Sequence, residues 1–271
     1  MRIAVVQLTS TDDVGENLSN IEYTLLSLKD RSIQAVCLPE CFALMQRNVD
    51  QLHTASELPG QGPIQSFLAY ASKHYGLWIF AGGMPFKTAF PDKATNTQVV
   101  YNDQGQQVTR YNKIHLFDVI LSDDERYLES SYTEPGRTVV TVDTPWAKVG
   151  LSICYDLRFP ELYRKLAKMG SDILVVPSAF SSTTGCDHWL PLLRARAIEN
   201  TCFVIAAAQT GRHPSGRKTW GHSVVIDPWG KVIGGLGEEA GVVIVDLDLN
   251  QLAQIRRKMP SLTHRSPHIS S

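Results

Sequence analysis

The sequence predicts a layered α/β domain in which helices cover a mixed sheet, and three observations carry that expectation. Short apolar runs of strand composition alternate with segments of helical periodicity. The β-α-β rhythm at the start of the chain returns after residue 149. Turn-forming tetrapeptides between alternating strands insert hairpins, so antiparallel pairs must join the parallel ones. A chain of 271 residues, 43% apolar and 20% charged, is read as one domain with a sizeable core and no linker. Lys and Arg number 26 against 27 Asp and Glu, which excludes the broad positive field that nucleic acid or an anionic membrane requires. A small-molecule substrate is the expectation.

Taken in order, residues 3–8 are a buried strand, and Ile21, Leu25 and Leu28 recur at helical spacing within 17–28. Residues 35–38 complete the first β-α-β unit and end at Pro39-Glu40. Residues 41–62 lack periodicity and read as a long loop with a short helix over the sheet edge; loops of that length are often functional. A helix over 63–75 begins at Pro63 and stops before Gly76, and the next strand covers 77–81. Strands over 97–101 and 107–111 flank Asn102-Asp-Gln-Gly105 as a hairpin. From Lys113-Ile-His-Leu-Phe117 a polar stretch runs to Gly136, and strand character resumes over 139–142 and 149–153. Pro160 suits the first position of a helix through Leu162, Leu166 and Met169. Then come a strand over 172–177, a helix over 188–200, a strand over 202–208, a hairpin around Pro228-Trp-Gly230, a strand over 242–247 and a helix over 252–257. The tail gathers His264, Arg265 and His268, read as a surface or partner contact.

The apolar run at the amino terminus is too short for a signal peptide, and no run approaches the ~18 residues that span a bilayer. Cysteines at 37, 41, 154, 186 and 202 are odd in number and scattered, so free thiols in a reducing cytoplasm are expected.

Gly150-Leu-Ser-Ile-Cys-Tyr-Asp-Leu-Arg-Phe-Pro-Glu161 passes from an apolar strand through a polar turn into a helix, with Cys154 at the bend. Such a junction lies at a sheet's carboxyl edge, where open α/β proteins form crevices. A thiol with a pKa near about 8.5 is only a few per cent ionised at neutral pH, so a nucleophilic Cys154 needs a base or a cation. Glu40 and Lys113 also follow strands, and the three are expected to share a sheet edge. Each has an ordinary alternative: a buried core thiol, a loop acid, a surface lysine.

Leu38-Pro-Glu40, Tyr111-Asn-Lys-Ile-His-Leu116 and Ile153-Cys-Tyr-Asp-Leu-Arg-Phe-Pro-Glu161, in that order, resemble the three motif segments of the nitrilase superfamily of carbon-nitrogen hydrolases, and the resemblance runs over essentially the whole chain. It implies an α-β-β-α sandwich with mixed sheets, pairing with a second copy through helices near the nucleophile, and no cofactor or metal. It implies that Cys154 attacks an amide carbonyl, that Glu40 relays protons, and that Lys113 and the backbone N–H of Tyr155 meet the oxyanion. Glu129 matches the second glutamate of the family, with Glu134 as the nearby competitor.

Residues 187–200, 206–209 and 220–230 resemble the Nit branch, and 157–161 and 209–213 its Nit1 type. That implies a carboxylated substrate carrying an amide of a 2-oxo acid, deaminated glutathione first and the ω-amidase substrate 2-oxoglutaramate second. Arg158 is then the candidate carboxylate clamp, against an ion pair with a buried acid. Arg194, Arg196 and Glu199 share a helix and read as a structural network. The rival class is a metal-dependent hydrolase using Cys186, Asp187, His188 and His222, whose spacing lacks the regularity of a zinc site. Gly221-His-Ser223 lacks the closing glycine of a serine elbow, Val225 standing there instead.

Overall fold

The computed structural model describes residues 1–266 and 268 and contains two six-stranded sheets. The first part of the chain lays down β1 (Arg2–Gln7), α1 (Val14–Ser27), β2 (Ala35–Leu38), α2 (Val49–Ala55), α3 (Pro63–Tyr75), β3 (Trp78–Lys87), β4 (Ala94–Tyr101) and β5 (Gln107–Asn112). A small ribbon, β6 (Asp118–Ile120) with β7 (Arg126–Leu128), leads to β8 (Thr141–Asp143), β9 (Lys148–Leu151), α4 (Pro160–Lys168), β10 (Ile173–Val175), α5 (Ser182–Asn200) and β11 (Phe203–Ala206). A second ribbon, β12 (Thr210–Arg212) with β13 (Lys218–Trp220), precedes β14 (Val224–Ile226), β15 (Val232–Gly235), β16 (Gly241–Asp246) and α6 (Leu249–Lys258). The sheets are ordered β16-β1-β2-β3-β4-β5 and β15-β14-β11-β10-β9-β8. Each has three parallel strands at its centre and antiparallel strands outside them.

Side-chain alternation explains the layering. Ile3, Val5, Ala35, Cys37, Trp78 and Phe80 pack with residues of the second sheet, whereas Ala4, Val6, Val36, Leu38, Ile79 and Ala81 pack with Ile21 and Leu25 of α1 and Ile64 and Leu68 of α3. On the second sheet α4 lies against β9 and α5 against β11. Gly150 leaves room for that packing: a Cβ there would come within 3.1 Å of Leu166 Cβ. The result is the α-β-β-α sandwich.

Several elements exceed what their periodicity suggests. Asp13 accepts a hydrogen bond from the Glu16 amide at 2.8 Å and so starts α1 at Val14 rather than 17. α5 begins six residues earlier than its apolar spacing implies, because Ser181 caps it and Gly185 lets Trp220 lie flat on its first turns. β3 continues beyond Ala81 to Lys87 through a register irregularity at Gly82 and Gly83. Both ribbons lie in stretches without clear period, and β16 leaves the second half of the chain to pair with β1. Among the described residues no helix is long and apolar enough to cross a membrane.

Candidate active site

Glu40, Lys113 and Cys154 each lie just past the carboxyl end of a strand, β2, β5 and β9 respectively. They do not share one sheet edge as expected: two come from the first sheet and Cys154 from the second, and the sandwich brings the facing strand ends together. The close approach depends on Gly82, where a Cβ would lie 2.0 Å from Pro177 Cβ. Beyond β9 the chain enters a tight turn, Cys154–Arg158, in which Cys154 has φ +47°, a left-handed conformation that costs a non-glycine residue energy and that its surroundings must enforce. The Cys154 amide donates to the Pro177 carbonyl at 2.9 Å, anchoring the bend. Tyr155 follows in the first turn, where backbone N–H groups have no intrahelical acceptor.

Lys113 is 2% exposed, and its ammonium donates to Glu40 Oε1 at 2.9 Å and to both Glu129 oxygens at 2.9 and 3.1 Å. Glu129, not Glu134, meets the lysine, and the Phe117 amide donates to it at 2.7 Å. Glu40 also accepts from Asn96 Nδ2 at 2.9 Å and from the Ala179 amide at 2.8 Å, and it lines one cavity with the Cys154 thiol. Burial favours a protonated Glu40, but the attraction of Lys113 and then of Arg217 outweighs it and holds the carboxyl below its usual value. Burial opposes the charge of Lys113 too, yet Glu129 and Glu40 raise its pKa well above the ordinary range. The Cys154 thiol is pushed up by burial and then by the charge of Glu40, with Lys113 opposing. The resting site is therefore carboxylate, ammonium and neutral thiol. Lys113 does not offset that rise, and Glu40 is the ionised carboxylate that shares the cavity with the thiol.

Three supporting residues are given no role by the sequence, although Asp156 and Gln209 fall inside the motif segments. Asp156, fully buried, accepts from Tyr111 OH at 2.7 Å, the Ile153 amide at 2.9 Å and the His115 amide at 3.1 Å, tying the cysteine turn to the lysine segment. Gln209 donates to the Glu40 carbonyl at 3.0 Å, and Asn96 bridges Glu40 and Glu129.

The triad and Glu129 line a cavity of about 60 Å³ together with Asn96, Tyr127, Tyr132 and Arg217. Arg217, from the loop between β12 and β13, has its Nε shut off from solvent with no partner among the described residues, while Nη2 donates to the Ala179 carbonyl. Only its placement on the ribbon marks it out from other arginines. Arg158, the expected clamp, does not line this cavity: its guanidinium lies over the rings of Tyr155 and Phe180, at 5.9 and 5.2 Å, and meets His188 Nδ1 at 3.2 Å. It follows the bend on the helical turn and so projects away from the strand ends. Among the described residues it forms no ion pair with a buried acid either. Arg196 and Glu199 pair at 2.9 Å, whereas Arg194 donates to the Gly230 carbonyl. Among the described residues no three His, Cys, Asp or Glu side chains group as a metal site. His222 instead stacks on Trp220, and Cys186 is exposed.

The carbon-nitrogen hydrolase family model matches residues 2–257, and the chain belongs to that family, the nitrilase superfamily. Its chemistry is hydrolysis of an amide-type C–N bond. Deaminated glutathione amidase of Synechocystis sp. is 42% identical over 97% of this chain and 97% of its own length. The C. elegans NitFhit protein superposes with a TM-score of 0.93 at 35% identity, this chain being fully covered and spanning 66% of that longer one. Saccharomyces cerevisiae Nit3, a member of branch 10 of the superfamily, gives a TM-score of 0.86 at 30% identity over 96% of this chain and 94% of its own.

Proposed function

We propose that the enzyme hydrolyses the amide of a 2-oxo dicarboxylic acid, with deaminated glutathione as substrate and 2-oxoglutarate and cysteinylglycine as products. The observation that carries this reading is Arg217, a cation on the wall of the cavity that holds Cys154, with a buried N–H seeking an acceptor. A carboxylate on the acyl half accepts from it and also neutralises the guanidinium charge, which a neutral acceptor does not. The names of relatives at about 40% identity support the same substrate.

Cys154 Sγ attacks the amide carbon as Glu40 takes its proton, and the oxyanion is met by Lys113 Nζ and the Tyr155 N–H. The C–N bond breaks as Glu40 returns the proton to the departing nitrogen, leaving an acyl thioester. Water, deprotonated by Glu40, attacks that thioester, and the thiolate leaves and recovers a proton. Glu129 holds Lys113 in place, and no metal or cofactor takes part.

Five free cysteines support a reducing, cytoplasmic setting. Exposed Leu190 and Ile198 on α5 and Trp229 beside it support pairing of two copies through this face. The tail 258–271 is assigned to the same contact, although Pro267 and 269–271 lie outside the described residues. Steady-state turnover of deaminated glutathione, 2-oxoglutaramate, a simple nitrile and a carbamoyl amino acid tests the reading. The highest kcat/KM is expected for deaminated glutathione, with Arg217→Ala raising KM for both 2-oxo amides. Preference for the nitrile or the carbamoyl compound overturns it, and preference for 2-oxoglutaramate moves it to ω-amidase.

A further inference from the structure

Building on the 2-oxo amide reading, we propose that a second cavity, immediately outside the catalytic one, is the subsite for the leaving amine and is built for a short peptide ending in a carboxylate. This outer cavity measures about 680 Å³ against about 60 Å³ inside, and the two share Gln46, Tyr127, Tyr132 and Arg217 as walls. The two cavities therefore adjoin at these four side chains. With the acyl half held between Cys154 and Arg217, the outer space is the roomy neighbour that takes the nitrogen side of the amide.

The charges around that space are unevenly engaged. Arg47, Arg126, Arg217 and Lys218 face it against two acids, Asp124 and Glu125. Glu125 is taken up by the hydroxyls of Ser181, Thr183 and Tyr127 at 2.6, 2.5 and 3.0 Å. Arg47 is held by Asp12 at 2.6 Å. Among the described residues Arg126 pairs only with an exposed Asp123 at 3.5 Å, and Lys218 has no carboxylate partner. The cations left for an incoming anion are thus Lys218 and Arg126, set against the one remaining acid of the lining, Asp124. A two-residue amine extends up to about 7 Å from the scissile nitrogen, far enough to carry a terminal carboxylate out of the inner cavity. An amide that releases ammonia leaves the outer cavity empty.

The test compares deaminated glutathione, its C-terminal carboxamide and 2-oxoglutaramate on the wild-type enzyme and on Lys218→Ala and Lys218→Ala/Arg126→Ala variants. The wild type is expected to favour the carboxylate over the carboxamide about three- to fivefold in kcat/KM, less at high salt. In the double variant that ratio falls to about one. Because it is a ratio within one preparation, partial misfolding does not mimic it. A wild-type ratio of one, or a ratio that survives the double substitution, overturns the outer subsite while leaving the amidase reading intact. If the wild-type enzyme turns over none of the three compounds, the amidase reading itself fails, and the subsite with it.

Discussion

Cys154 combines a strained backbone, at φ +47°, with a thiol that burial and Glu40 keep protonated. Both features point to an elbow whose only asset is the position of Sγ. Cys154→Ala is accordingly expected to lower kcat by at least about 10⁴-fold, since removing a nucleophile leaves only binding and oxyanion stabilisation. Thermal unfolding should barely move, because the anchoring bond to Pro177 is made by the backbone; a collapsed melting transition would argue for a core cysteine. Glu40→Gln removes the proton acceptor and is expected to cost about 10²–10⁴-fold in kcat/KM. It should also slow alkylation of Cys154 by iodoacetamide, which peptide mapping reads independently of turnover. Alkylation at an unaltered rate would show that the thiol is activated by something other than Glu40.

At the scale of elements, the site depends on how closely two sheet ends approach. Gly82 stands 2.0 Å from Pro177 Cβ by the measure of an added Cβ, and Gly83, at φ +56°, would place one 2.7 Å from Glu40 Cγ. Gly82→Ala must therefore spread β3 from the segment after β10. Overpacking of that kind costs about 1–3 kcal/mol, visible as a lower denaturation midpoint, and kcat should fall as Glu40 and Cys154 separate. Unchanged stability and activity would mean the sandwich is looser here than its geometry implies. The sequence places Glu40, Lys113 and Cys154 at strand ends from local composition alone, and Glu129 by motif position. It does not reveal Asn96 or Asp156, because an asparagine inside a strand and an aspartate inside a turn look ordinary until the partner segments fold over them. Arg158 shows the converse: four residues from Cys154 along the chain, it lies over Tyr155 and Phe180 and not on the wall of the catalytic cavity.

For the whole molecule, acid is the expected weakness. His213, buried between the Ser10 carbonyl at 2.9 Å and Thr219 Oγ1 at 2.7 Å, is held below its usual 6.5 by burial, which a hydrogen bond to Ser10 only partly offsets. Glu40 is likewise held below 4.5. In both cases the unfolded chain takes up protons first as pH falls, so the stability they contribute is full above the unfolded values and is lost as pH drops through the folded ones. Denaturant midpoints should thus decline below pH 6.5 through His213 and decline again below 4.5 through Glu40. His213→Gln is expected to flatten the first decline; an unaltered pH profile would assign it to another group.

The sequence by itself determined the β-α-β rhythm, the mixed strand directions and the three strand-end residues, because periodicity and turn chemistry are local properties of a chain. The motif resemblance already implied two sheets, whereas only the tertiary structure decided that β16 crosses back to β1, that α5 starts at Ser182, and that Arg217 rather than Arg158 lines the cavity of Cys154. Those outcomes rest on contacts between segments far apart in sequence. Which ribbon folds over a strand end is settled by the packing of two sheets against each other, and no window along the chain contains that information.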